Sequence, residues 1–137
     1  MSEKFKVEVV TPKGIVLDKQ VEEVIAPGIM GEFGVLIGHT PMLTFIKPGI
    51  FSYLEGDKFT KFAVGSGFCE VLKDAVTVLV DEAYKLEEID SQQTAAELHG
   101  LEQQLTAIDA SADPEGYEQL INKIKVARAK IALTSGS

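Results

Sequence analysis

The sequence predicts an α+β chain: a strand-rich part over residues 1–86, then an antiparallel helical hairpin over residues 87–137. Three observations carry this division. As far as Leu86, short apolar runs alternate with turn signals about every ten residues, the pattern of a sandwich or a barrel. Beyond Leu86 the apolar positions step by three and four, as on one helical face. One short break, Asp109-Ala110-Ser111-Ala112-Asp113-Pro114, divides that stretch, so the two helices fold back on each other.

The strands follow in order. Phe5-Lys6-Val7-Glu8-Val9 alternates apolar and polar, as a strand with one wet face does. Pro12-Lys13-Gly14 turns the chain into short runs at residues 15–17 and 21–26. Residues 35–37 and 42–46 flank a corner at Gly38-His39-Thr40-Pro41. Residues 50–54 and 58–64 enclose Glu55-Gly56-Asp57, a hairpin turn. Residues 68–72 and 75–80 join across Lys73-Asp74, and Val76, Val78 and Val80 share a face.

The helical grammar starts at Asp90, an N-cap with Gln93 three residues on. Leu98, Leu101, Leu105 and Ile108 then lie on one face. Asp113 caps the second helix with Pro114 at its first position. Tyr117, Leu120, Ile121, Ile124 and Ile131 give that helix its own stripe. Neither helix is stable alone in water, so each needs a partner surface. Burial of a Leu or Ile contributes about 1.5–3 kcal/mol, offset by ordering entropy of comparable total size. Two readings stay open: a fixed hairpin that completes the core, and an element with two positions.

Composition excludes whole classes of function. The 137 residues carry a net charge of -8, against the basic face that nucleic acid or anionic lipid requires. The hydrophobic fraction of 45% is enough for a modest core without staples. The single cysteine, Cys69, has no internal disulfide partner, which fits a reducing compartment. No apolar h-region follows Met1-Ser2-Glu3-Lys4, and no apolar run approaches the ~20 residues that cross a bilayer. Membrane association is therefore expected only through another protein.

No reacting centre emerges from the residue types. Gly28, Gly31 and Gly34 are not followed by Gly-Lys-Ser/Thr, so they read as turns and bulges between short strands, not as a phosphate loop. Gly65-Ser66-Gly67 lacks the nucleophile-elbow pattern. His39 has no cysteine or second histidine at metal-ligand spacing, and His99 falls off the apolar stripe, toward solvent. Glu22-Glu23 and Glu87-Glu88 are adjacent, so on a strand they face opposite sides. Cys69 reads as core filler. No catalytic residue, metal or cofactor is expected. One charge reversal stands out: Lys123, Lys125, Arg128 and Lys130, with no acidic residue after Glu118. Such residues suit the dipole at a helix C-terminus or a docking face for an acidic partner.

The densest punctuation lies in Ala-Pro-Gly-Ile-Met-Gly-Glu-Phe-Gly-Val-Leu-Ile-Gly-His-Thr-Pro, residues 26–41, with Lys47-Pro48-Gly49 beyond. This segment resembles the signature of the epsilon subunits of bacterial rotary (F-type) ATP synthases, and the resemblance spans the chain. It implies a β-sandwich of about ten strands followed by a helical hairpin. It also implies a non-catalytic central-stalk part of a proton-transporting ATP synthase, peripheral on the cytoplasmic face of the bacterial plasma membrane. By that resemblance Gly31, Glu32, Phe33 and Gly34 form the loop that meets the c-subunit ring. Gly38, His39, Thr40 and Pro41 lie near the gamma subunit. The hairpin extends to restrain ATP hydrolysis, its Lys123, Lys125, Arg128 and Lys130 meeting the catalytic alpha/beta head. Some members bind ATP through Ile/Leu-Asp-x-x-Arg-Ala. Here Ile89 and Asp90 remain, but Gln93 and Thr94 replace the arginine and alanine. A neutral amide does not pair with phosphate as guanidinium does, so ATP binding is expected to be weak or absent. The alternatives are a small-ligand-binding β-sandwich with a helical lid, which needs a large apolar cavity, and a small hydrolase, which needs a converging histidine or carboxylate pair.

Overall fold

The computed structural model describes residues 3–135; Met1 and Ser2, where the N-terminal reading begins, lie outside them. Ten strands come first: β1 (Phe5–Thr11), β2 (Gly14–Val21), β3 (Glu23–Gly28), β4 (Gly31–Val35), β5 (Met42–Ile46), β6 (Gly49–Glu55), β7 (Lys58–Val64), β8 (Gly67–Val71), β9 (Ala75–Val80) and β10 (Ala83–Lys85). A 3-10 turn, Leu86–Glu88, leads into α1 (Ser91–Ala107) and α2 (Pro114–Thr134).

The strands form one hydrogen-bonded path, β10-β7-β6-β3-β5-β8-β9-β1-β2, with β4 added to β3. The path doubles over at β3. The start of β3 pairs with β6 through Glu23–Ile25, and its end meets β5 where Gly28 lies opposite Ile46. Two layers result, and the far edge returns to the first: Lys19 of β2 donates to Glu55 of β6 at 3.1 Å, and Glu22 N donates to Leu54 O at 2.9 Å. The sequence left sandwich and barrel open before the resemblance; the outcome is a ten-strand sandwich that is nearly closed. All pairings are antiparallel except β1 with β9.

Alternation sets the core. Phe5, Val7 and Val9 of β1 and Val76, Val78 and Val80 of β9 point inward, and the two strands run side by side. Phe51 and Phe62 stack at 6.2 Å between ring centroids. Residues 35–37 were expected as a strand, but only Val35 belongs to one; Leu36 and Ile37 run out exposed into the corner. The glycine set fits the expectation of a turn between strands at Gly28 and Gly31 and departs from it at Gly34. Gly28 and Gly31 flank a two-residue turn, Ile29-Met30, whereas Gly34 sits inside β4. The physical reason lies in the side chains. Gly31 has φ +125°, and a Cβ on Gly28 would sit 2.8 Å from the ring of Phe33 and the carbonyl of Gly31. The motif spacing thus encodes a tight hairpin with an aromatic ring laid over a bare backbone.

The helices cap as their sequence predicts. Asp90 accepts from Gln93 N at 3.1 Å, and Asp113 from Gly116 N at 3.0 Å. At 1.5 Å per residue, 17 and 21 residues give lengths of roughly 26 and 32 Å. α1 ends at Ala107, so Ile108, expected on its face, is the C-cap, yet it still packs into the hairpin core. That core joins Leu101, Leu120, Ile124 and Ala127. α2 has a second buried side: Ala129 and Leu133 lie against Ala63, with Ile50, Tyr84 and Ile89 around them. α2 therefore lies between α1 and the outer face of β6 and β7.

Candidate interaction surface

The sandwich has two outer faces, and they are treated differently. The β6-β7 face is covered in part by α2. The face of β5, β8, β9, β1 and β2 is bare among the described residues. Register places Phe45 opposite Phe68, Phe68 opposite Leu79, Leu79 beside Val10, and Val10 opposite Ile15. Side chains paired in this way share a face, so an apolar row crosses five strands. Phe45 is 66% exposed and Ile15 63%. The Ile29-Met30 turn prolongs the row, since Ile29 N donates to Phe45 O at 3.0 Å and Met30 is 93% exposed. The next row reads Leu43, Glu70, Thr77, Glu8 and Asp18 in the same registers, so carboxylates border the apolar strip. A contiguous exposed apolar patch with a polar rim marks a protein contact.

The two glycine-rich motifs lie toward opposite ends of β5, but Glu32 of the first opens on the side of the sandwich that α2 covers, not on the bare face. Gly31, Glu32, Phe33 and Gly34 lie in β4, an edge strand on β3. Glu32 is exposed. It borders a cleft of about 520 Å³ that Ile25, Ile50, Phe59 and Ala132 of α2 also line. Gly38, His39, Thr40 and Pro41 lie at the other end, where Gly38 N donates to Lys73 O at 3.0 Å in the β8–β9 turn. Gly38 has φ +78°, which places the corner there. The His39 Nδ1–H donates to Thr40 O at 2.6 Å, so the ring is held locally and faces no metal or catalytic partner. Glu32 and His39 do not converge.

The remaining candidate residues are occupied in other ways. Ile89 joins the seam under α2, and the carboxylate of Asp90 is used in capping α1. Lys123 and Lys125 are exposed. Arg128 pairs with Glu102 of α1 at 3.0 Å, and Lys130 Nζ sits 4.2 Å from the centroid of the Tyr84 ring. At about 100° per residue the four divide between two sides of α2, Lys123 with Lys130 and Lys125 with Arg128. In the packed hairpin they do not make one basic face.

Nothing in the described residues assembles a reacting centre. No group of three or more His, Cys, Asp or Glu side chains is placed to hold a metal. Cys69 is fully buried, and burial, with a smaller effect from Glu70, pushes its thiol up to about 12, so it stays protonated and inert. His99 is exposed on α1. A cleft of about 590 Å³ opens on the surface between β2, β7 and the linker, with Lys19, Lys58, Lys61 and Lys85 on its walls. It is not the enclosed apolar cavity that a ligand-binding sandwich requires.

Residues 4–86 match the family model described as ATP synthase, Delta/Epsilon chain, beta-sandwich domain. The chain is 44% identical over 106 residues to the ATP synthase epsilon chain of Desulfosudis oleivorans, covering 77% of this chain and 80% of that one. It is also 44% identical over 141 aligned positions to the ATP synthase epsilon chain of Geotalea daltonii, covering 99% of each. The chain belongs to the ATP synthase epsilon chain family.

An epsilon chain is a non-catalytic subunit of its complex, in keeping with a surface built for contact. The Geotalea alignment includes the hairpin, which the family model leaves out. In solved structures the epsilon fold recurs in a chain of the Euglena gracilis mitochondrial ATP synthase, described as OSCP/F1/c-ring in rotational state 1. There the TM-score is 0.81 at 23% identity, over 96% of this chain and 82% of that one. A chain of the Tetrahymena thermophila mitochondrial ATP synthase, described as central stalk/cring, matches with TM-score 0.54 at 15% identity, over 64% and 70%. The motif residues had been legible in the sequence, but the five-strand apolar row had not. Its signal was Met42-Leu43-Thr44-Phe45-Ile46, apolar on both faces, which asks for cover on both sides.

Proposed function

We propose that this epsilon chain is the part of the central stalk that joins the gamma subunit to the c-subunit ring. Its helical hairpin restrains ATP hydrolysis. One observation carries the reading: the chain covers one outer face of its sandwich with its own helix and leaves the opposite face apolar and bare. Gamma is the occupant of that bare face, reached also by the Gly38-His39-Thr40-Pro41 corner at its end. Gly31-Glu32-Phe33-Gly34 presents Glu32 to the c ring from a hairpin that Gly31 and the Gly28–Phe33 contact hold stiff. The solved relatives named for F1, the central stalk and the c ring support these partners. Stiffness matters because torque passes only through contacts that do not yield. The site is thus peripheral, on the cytoplasmic face of the bacterial membrane and attached through the complex. Among the described residues no helix is long and apolar enough to cross a membrane.

The hairpin restrains hydrolysis when it leaves the sandwich and reaches the alpha/beta head. Lys123 and Lys125 are available for that contact as the chain stands, and Arg128 and Lys130 become available once their present partners release them. The domain division falls between the strands, which end at Lys85, and α1, which starts at Ser91. Removing residues after Glu88 is expected to leave assembly with gamma and the ring intact and to raise ATP hydrolysis by the reconstituted complex. Loss of assembly, or an unchanged rate, overturns the division of labour. ATP titrated into the isolated chain is expected to give no saturable heat below about millimolar, because Asp90 is committed to its cap and Gln93 stands where guanidinium is needed; micromolar affinity contradicts this.

A further inference from the structure

We infer that the open gap between the two ends of the strand path is a docking groove for an extended acidic segment of a partner chain, which adds to β2 as a further strand. The inference is independent of the gamma, ring and hairpin contacts described above. Three observations carry it.

The first is where the sheet fails to close. The path runs from β10 to β2, so these two strands are its ends. Closure is made at the far end of β2, where Lys19 meets Glu55 and Glu22 N donates to Leu54 O. Toward Gly14, no backbone bond among the described residues links β2 to β10 or β7. Two clefts occupy the gap, of about 590 Å³ and about 270 Å³, and both have Val16 and Lys85 in their walls. They run together as one groove along residues 14–19, a length of about 20 Å at roughly 3.3 Å per residue.

The second is the backbone. An edge strand leaves alternate N–H and C=O groups pointing away from its neighbour, and another extended chain satisfies them. β2 offers such an edge, since among the described residues β1 is its one strand partner. β10 offers less, because Lys85 N already donates to Glu88 Oε1. The incoming strand therefore pairs with β2.

The third is charge. The chain carries a net charge of -8, yet Lys13, Lys19, Lys58, Lys61 and Lys85 stand on the walls of this groove. All are exposed, and all but Lys19 lie outside the ion pairs of the described residues. The acidic groups on the same walls are fewer and partly engaged. Asp18 faces Lys6 at 3.8 Å, Glu88 holds the Lys85 N–H, and Glu87 completes the set. Lysines along an edge repel a second copy of that edge and attract carboxylates. The floor between them is apolar, with Leu86 51% and Phe59 42% exposed. A strand of alternating acidic and apolar residues fits both features: alternation sends its apolar side chains to the floor and its carboxylates to the rim.

The test is fluorescence titration of the full isolated chain with a labelled peptide of about eight residues, long enough to span the groove, that alternates glutamate and valine. The comparisons are the same residues arranged in two blocks, and an alternating peptide of lysine and valine. The alternating acidic peptide is expected to saturate and to bind at least about tenfold more tightly than either comparison. Hydrogen exchange at the amides of residues 14–19 is expected to slow when it is bound. Lys58→Glu with Lys61→Glu is expected to weaken binding at least about tenfold. Lys47→Glu with Lys73→Glu makes the same change of charge on exposed residues outside the groove, and is expected to change binding less than about twofold. The inference is overturned if the block peptide binds as well, if the two charge reversals cost the same, or if the peptide binds while the β2 amides keep their free exchange rate. Self-association of the chain that Lys58→Glu abolishes overturns it too, because the groove then holds a second copy.

Discussion

Phe45 and Cys69 sit on neighbouring strands and face opposite ways, and together they show what a strand position decides. Cys69 points inward and is sealed. Its folded pKa, raised to about 12 by burial, has a defined consequence. Below the ordinary value of 9.0 the thiol is neutral in both folded and unfolded chains, and pH changes nothing. Between about 9 and 12 only the unfolded chain gives up its proton, so stability is lost as pH rises through that window. By pH 10 the loss is about 1.4 kcal/mol. Urea unfolding of the native chain and of Cys69→Ala near pH 8 and near pH 10 measures it. The stability gap between the two chains is expected to narrow by about 1.4 kcal/mol at the higher pH; a constant gap refutes the burial effect. The sequence showed Cys69 as core filler because it alternates with Phe68 and Glu70. It did not show which way Phe45 points, because residues 42–46 are apolar at every position but Thr44 and give no period. Only the register with Phe68 resolves it.

The two helices differ in how much of their packing can be read from the chain. α1 has one apolar stripe, and its Asp90 cap and residues 98–105 follow the sequence signals directly. α2 is apolar on two sides. Leu120 and Ile124 face α1, and these stand out in sequence. Ala129 and Leu133 face the sandwich, and these do not, because an alanine and one leucine on the far side weaken any single stripe. The β10 strand was missed for a similar reason: three residues are too few for alternation to show. The strands with clean turns, β6 to β7 across Gly56-Asp57 and β8 to β9 across Lys73-Asp74, were legible because their turn chemistry is local. One element-scale prediction follows from α1. Gly100 lies mid-helix, and a Cβ there meets nothing within 4 Å. Gly100→Ala is expected to stabilise the chain by about 1 kcal/mol through helix propensity alone. Thermal unfolding checks this, and a lower melting temperature would show that a hidden contact needs the glycine.

At the scale of the molecule the decisive feature is asymmetry. The hairpin is attached to one outer face through Ala129 and Leu133, and the opposite face carries an apolar row bordered by Glu70, Glu8 and Asp18. The net charge of -8 opposes self-association through such a row, and the bordering carboxylates favour a partner with complementary basic groups. The glycine motifs toward the ends of β5 could be read early because their backbone angles demand particular residues. The row itself is written across five strands distant in sequence, so it exists only after folding. The most direct test is the affinity of purified gamma for this chain with Phe45→Ser and Phe68→Ser together, beside the unaltered chain. Both side chains point outward, so the fold is expected to melt at its usual temperature, while binding to gamma weakens at least about thirtyfold. Binding within twofold of the unaltered chain, with the fold intact, would contradict the assignment of this face to the rotor shaft.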